Sequence, residues 1–118
     1  NWVLNKPHGG QGARLTRAAD VRDPASGRTL AVLTNTPSMQ FYTANYIGAP
    51  HKPAPVTGKG GAVYRRHHGL CLETQFAPDS PNHEGEDGWP SCLLNPGEVY
   101  LHDVHYVFGV SAPAGGAK

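Results

Sequence analysis

Glycine and proline interrupt this chain so often that a long helix has little room to form. The 118 residues include 15 Gly and 11 Pro, and the runs between them are short and rich in β-branched and aromatic side chains. A helix needs an unbroken stretch of backbone donors, whereas a strand tolerates a turn residue at either end. The pattern predicts one all-β domain with long loops rather than a helical bundle.

The breaks divide the chain into candidate strands. Asn1-Trp2-Val3-Leu4 opens directly as a strand, which reads as the middle of a fold and predicts that a longer protein once preceded it. Lys6 to Gly12 is a Gly-rich loop. Asp23-Pro24-Ala25-Ser26-Gly27 is a strong turn signal, so residues 13–34 read as a β-hairpin, with a helix over 13–21 as the alternative. Ser38 to Asn45 is strand-like by its aromatics. Residues 49–62 form a loop that re-enters the sheet at Val63-Tyr64. Residues 78–90 are a second loop, acidic at Glu84, Glu86 and Asp87. Ser91 to Leu94 reads as a short strand and Asn95 to Glu98 as a tight turn. Val99 to Val110 is expected to be the longest strand, with Tyr100, Val104, Tyr106 and Phe108 on one face. Residues 1–110 are read as the folded portion and 111–118 as a flexible C-terminal tail.

One carboxylate stands out. Glu73 lies inside Gly69-Leu70-Cys71-Leu72-Glu73-Thr74-Gln75, a short apolar strand. Strand side chains alternate between faces, so Leu70, Leu72 and Thr74 share one side while Cys71, Glu73 and Gln75 share the other. A carboxylate set into a sheet is paired, hydrogen-bonded or used. An ion-paired or rim-exposed Glu is the plain alternative to catalysis.

Other features point to less. A formal net charge of +1 generates no field that would recruit nucleic acid or an anionic membrane, and no stretch reaches transmembrane length. Cys71 and Cys92 are too few for a disulfide scaffold. They are expected to be buried free thiols in a reducing, cytoplasmic setting, with a single bridge as the alternative. His67 and His68 are adjacent, and His102 and His105 are three apart; neither spacing suits one metal ion on a strand. Gly58-Lys59-Gly60-Gly61 lacks the spacing of a phosphate-binding loop and reads as a turn.

Several segments together carry a resemblance. Met39-Gln40-Phe41-Tyr42-Thr43-Ala44-Asn45 is similar to a Leu-Gln-Phe-Tyr-Thr-Gly-Asn pattern. Gly58 to Gly61, Tyr64, His67 and Gly69 to Gln75 follow in order. Pro78-Asp79, Asn82-His83, Trp89-Pro90-Ser91 and Pro96-Gly97-Glu98 complete the set. The chain resembles the C-terminal portion of the galactose mutarotase (aldose 1-epimerase) family. That resemblance implies part of an antiparallel β-supersandwich, an antiparallel β-sandwich acting without cofactor or metal on an aldohexose such as galactose or glucose. It implies Glu73 as the general base and Gln40 as a sugar-binding residue. It also implies an N-terminal part, in the same or a separate chain, as partner.

The chemistry suits these residue types. Interconverting anomers needs a base to take the proton of the anomeric hydroxyl and an acid to protonate the ring oxygen. A partly desolvated Glu in a sheet groove has its pKa raised toward the working range of such a base. Gln40 offers a donor and an acceptor to a hydroxyl. Tyr42 or Trp89 could stack on the sugar or simply pack. Leu70 stands where the family often has Phe, and Glu84 to Asp87 lengthens a loop. The family's acid His, a second His, an Arg and an Asp have no counterparts here, and His8, His51, His67 and His68 do not match the acid position. A non-catalytic carbohydrate-binding or structural β-sandwich subunit of a larger assembly is the alternative from another class. An epimerase acting on sugar 6-phosphates would need an arginine cluster that Arg65 and Arg66 do not supply.

Overall fold

Short runs between breaks become short strands. The computed structural model describes residues 1–5, 14–48 and 56–112. The strands are β1 (Trp2–Val3), β2 (Thr16–Arg22), β3 (Arg28–Thr34), β4 (Ser38–Tyr42), β5 (Val56–Thr57), β6 (Val63–Tyr64), β7 (Cys71–Gln75) and β8 (Val104–Val110). They form two three-stranded sheets, β1-β4-β7 and β2-β3-β8, and a two-stranded ribbon, β5-β6. Every pairing is antiparallel. Among the described residues the only helical elements are two 3₁₀ turns, Lys59–Gly61 and Ser80–His83. The all-β expectation is met.

The hairpin of β2 and β3 forms because its turn satisfies itself. Gly27 N–H donates to the Asp23 carbonyl at 2.8 Å and Asp23 N–H to the Arg28 carbonyl at 2.9 Å. The Asp23 carboxylate accepts from the Ala25 and Ser26 N–H groups and the Ser26 hydroxyl. Gly27 takes φ 73°, a left-handed conformation that suits glycine. With its ends closed this way, the segment pairs β2 with β3, broken only by a register shift between Arg17 and Ala19. The helix alternative is excluded.

Val32 from β3, Met39 from β4 and Leu72 from β7 make one buried apolar cluster, with Leu4, Ala18, Ala19, Val21, Leu30 and Val104 against it. The two larger sheets therefore face each other across these side chains. The radius of gyration, 18.3 Å, exceeds the value of about 13 Å for a compact domain of this length.

The chain passes from one sheet to the other through a buried polar corner. Thr34, Asn35, Thr36 and Ser38 are each at most 4 % exposed. Thr34 Oγ1 meets Thr36 Oγ1 at 3.0 Å, Ser38 Oγ donates to the Gln75 carbonyl at 2.9 Å, and Leu4 N–H donates to the Pro37 carbonyl at 2.9 Å. Asn35 ties in the C-terminal segment: its Nδ2 donates to the Leu101 carbonyl at 3.1 Å and its Oδ1 accepts Asp103 N–H at 2.9 Å. Buried hydroxyls and amides are tolerable here because each finds such a partner.

Some expected elements are shorter or absent. The C-terminal strand begins at Val104 rather than Val99, because the backbone of 101–103 is held by the Asn35 side chain instead of a ladder. Tyr100 therefore falls outside it, while Val104, Tyr106 and Phe108 do share a face, opposite Thr34, Val32 and Leu30. Ser91 to Leu94 is not a strand; Ser91 Oγ accepts Leu93 N–H at 3.3 Å, a local bond that competes with sheet pairing. Val63-Tyr64 enters its own ribbon with β5, not a main sheet. The turn at Asn95 to Glu98 is present, with Glu98 N–H bonded to the Asn95 carbonyl at 3.0 Å. Ser111 N–H donates to the Gly27 carbonyl at 2.8 Å, and the Ala112 carbonyl accepts from Arg22. The loop expected from Lys6 to Gly12 lies outside the described residues, as do residues 49–55 and 113–118.

Candidate active site

Alternation along β4 and β7 and the register between them decide what meets on each face. Gln40 stands directly opposite Glu73, flanked by the pairs Ser38–Gln75 and Tyr42–Cys71. Directly opposed residues on antiparallel strands have Cβ atoms about 5 Å apart on the same face. Two residues distant by 33 positions in sequence are thus held as neighbours by a rigid ladder. The other face carries Met39, Phe41, Leu72 and Thr74, of which Met39, Leu72 and Thr74 are buried. The division of Leu72 and Thr74 from Cys71, Glu73 and Gln75 is as the sequence predicts.

Glu73 itself is exposed. A cavity of about 650 Å³ between the sheets is lined by Trp2, Leu4, Ala19, Met39, Phe41 and Leu72 among others. It lies on the opposite side, because those β4 and β7 residues are the ones that point away from Glu73. Within the described residues no lysine or arginine pairs with Glu73, so the carboxylate is not clamped. An exposed carboxylate beside an amide with a donor and an acceptor can grip a polyhydroxylated ligand and exchange a proton with it.

Tyr42 lies on the Gln40–Glu73 face and stacks on Tyr46, ring centroids 6.4 Å apart at 16°. The Tyr42 hydroxyl accepts Tyr46 N–H at 3.1 Å. Trp89 is stacked on His83 at 4.0 Å and 12°, and with Pro90 lines a smaller cavity, about 190 Å³, beside Val3, Pro37 and Ser38. These aromatics sit at the two ends of the β4 face, one beyond Gln40 in each direction.

The remaining candidates separate. His67 and His68 lie in a turn, not on a strand as their reading assumed; His67 has φ 63° and its Nδ1 is 2.8 Å from the Thr43 carbonyl. His102 is outside the strand, with Nε2 2.9 Å from Thr74 Oγ1, while His105 pairs with Leu33 in the ladder. Among the described residues no three His, Cys, Asp or Glu side chains gather as a metal site. His8 and His51 lie outside the described residues. Gly58 to Gly61 is a turn in which a Cβ on Gly58 would overlap the Tyr64 ring; glycine is there to let that ring close over it. Cys71 and Cys92 are both free, but Cys71 is exposed and Cys92 only partly buried, against the expectation of burial. Cys71 shares the open face with Glu73, and that face is not packed. The sequence reading missed the polar corner at Thr34 to Ser38 and the His83–Trp89 stack. Short polar side chains leading into Pro37, between two strands, were the signal for the first.

The aldose 1-epimerase family model matches residues 1–107. This chain belongs to the aldose 1-epimerase family. It is 48% identical over 93 residues to galactose mutarotase of Mus musculus, covering 79% of this chain and 25% of that protein. Identity to galactose mutarotase of Homo sapiens is 45% over the same coverage. Against aldose 1-epimerase of Escherichia coli (strain K12) it is 40% over 79 residues, 67% of this chain and 21% of that protein. The chain thus spans about a quarter of the length of these curated relatives. Within the described residues no helix is long and apolar enough to cross a membrane.

Proposed function

We propose that this chain is the base-bearing portion of an aldose 1-epimerase that interconverts the α and β anomers of aldohexoses such as galactose and glucose. The observation that carries the reading is the Gln40–Glu73 pair, juxtaposed by register on the unpacked face of the β1-β4-β7 sheet in a chain of this family. Glu73 takes the proton of the anomeric hydroxyl, the ring opens, and the aldehyde turns about its bond to the next carbon. Closure on the other face returns the proton from Glu73. Gln40 holds a neighbouring hydroxyl so that the anomeric centre stays over the carboxylate. The acid that serves the ring oxygen, and the walls that enclose the sugar, come from an N-terminal part of the enzyme beyond these 118 residues. The same reading places the enzyme in the cytoplasm, where Cys71 and Cys92 stay reduced.

Polarimetry on freshly dissolved α-glucose tests the reading, with this chain alone as the inactive control and with its complementary N-terminal portion supplied. Glu73→Gln is expected to cut turnover by about 10²–10⁴-fold, the usual worth of a positioned base, while sugar binding persists. Turnover at the wild-type rate removes Glu73 from the role. A second reading, a non-catalytic carbohydrate-binding or structural subunit, draws on the exposure of Glu73. It requires that the completed protein bind sugar without any mutarotation.

A further inference from the structure

The loop that follows β7 is organised around a histidine that the sheet chemistry does not use. His83 closes the Ser80–His83 turn, and both of its ring nitrogens face carboxylates. Nδ1 is 2.9 Å from Glu86 Oε2 and Nε2 is 3.2 Å from Asp79 Oδ2. A neutral imidazole has one N–H and can donate to only one of them, whereas the imidazolium donates to both. The ring lies nearly parallel to the Trp89 indole. Backbone bonds continue the chain of contacts: Glu86 N–H donates to the His83 carbonyl and Trp89 N–H to the Glu86 carbonyl, each at 3.1 Å. The second Asp79 oxygen accepts the Asn82 amide. Trp89 then shares the lining of the 190 Å³ cavity with Val3, Pro37, Ser38 and Ala77, at the end of the sheet where β4 begins.

We propose that His83 is a protonation-operated clasp that seats the 79–90 loop, through Trp89, on the Val3–Ser38 end of the β1-β4-β7 sheet. When charged it bridges Asp79 and Glu86 and keeps its face on the indole; when neutral one bridge is lost and the loop loosens. The proposal stands apart from the sugar reading, since none of its contacts involves Gln40 or Glu73. Asp79 and Glu86 are the charged groups facing the ring among the described residues. The hydrogen bond and charge of Glu86 raise the His83 pKa, partial burial opposes this, and Asp79 adds to the rise. A group whose folded pKa is raised stabilises the fold fully below its unfolded value, ordinarily 6.5, and loses that contribution as pH climbs through the folded value. The clasp is therefore closed on the acid side and opens toward alkaline pH.

Histidine side-chain NMR of the protein reads the clasp directly, the His83 resonance being assigned by its loss in His83→Gln. The expected midpoint lies above 6.5, and Glu86→Gln lowers it more than Asp79→Asn does. Limited proteolysis within 79–90, normalised to a denatured control at each pH, is expected to accelerate through the same midpoint in the wild type. In His83→Gln it is fast and without a pH step. A midpoint at or below 6.5, a midpoint that Glu86→Gln leaves in place, or equal cleavage of wild type and His83→Gln at acid pH would each overturn the clasp.

Discussion

The two faces of the β1-β4-β7 sheet are built from the same strands and do opposite work. On one, Met39 and Leu72 are 6 % and 9 % exposed and meet Val32 of the facing sheet. On the other, Glu73 is exposed and Gln40 half-buried, side by side across the ladder. Stability is concentrated on the first face and polar chemistry on the second, and one step along the strand separates them. Substitutions on the two faces should therefore fail in different assays.

Leu72→Ala breaks the packed face and carries the largest expected cost, about 2–5 kcal/mol for a leucine truncated in a buried cluster, measured as a loss in urea unfolding. The corner that orients β4 comes next. Asn35→Ala leaves the Asp103 N–H and Leu101 carbonyl without their partners and should cost about 1–3 kcal/mol, with faster amide exchange across 101–103. Glu73→Gln sharpens the contrast: the variant expected under the proposed function to cut turnover should shift unfolding by no more than about 0.5 kcal/mol, as for an exposed side chain outside any network. A cost as large as that of Leu72→Ala would mean the two faces are not separable. The smallest effect concerns the hairpin turn, far from both. The Ser26 hydroxyl, then the Ala25 N–H, lower the Asp23 pKa below its ordinary 3.8. A depressed carboxylate stabilises the fold above its unfolded pKa and loses that contribution as pH falls through the folded value. Asp23→Asn should thus lower the melting temperature slightly near neutrality and flatten its decline in acid.

Legibility in the sequence followed the range of the interactions. The hairpin could be read because Asp23 to Gly27 encodes its own turn within five residues. The alternation of Leu72 against Glu73 could be read because the pleat is a local rule. Family likeness pointed to Gln40 and Glu73 one by one, but their facing was not legible, since register between β4 and β7 is set by contacts such as Ser38 to Gln75 that no local rule supplies. The late start of β8 was illegible for the same reason: Asn35 holds residues 101–103 across 66 to 68 positions. The exposure of Glu73 was not legible either, because alternation tells which side a carboxylate takes but not what covers that side.

Antiparallel pairing with a repeat of two leaves this sheet with a parity constraint. Losing or gaining one residue between Thr34 and Ser38 would swap inside for outside along β4, sending Gln40 toward the packed interior and Met39 into solvent. Length changes in the connections far from that corner carry no such penalty. The short bridge between the sheets is therefore where insertions and deletions should be least tolerated.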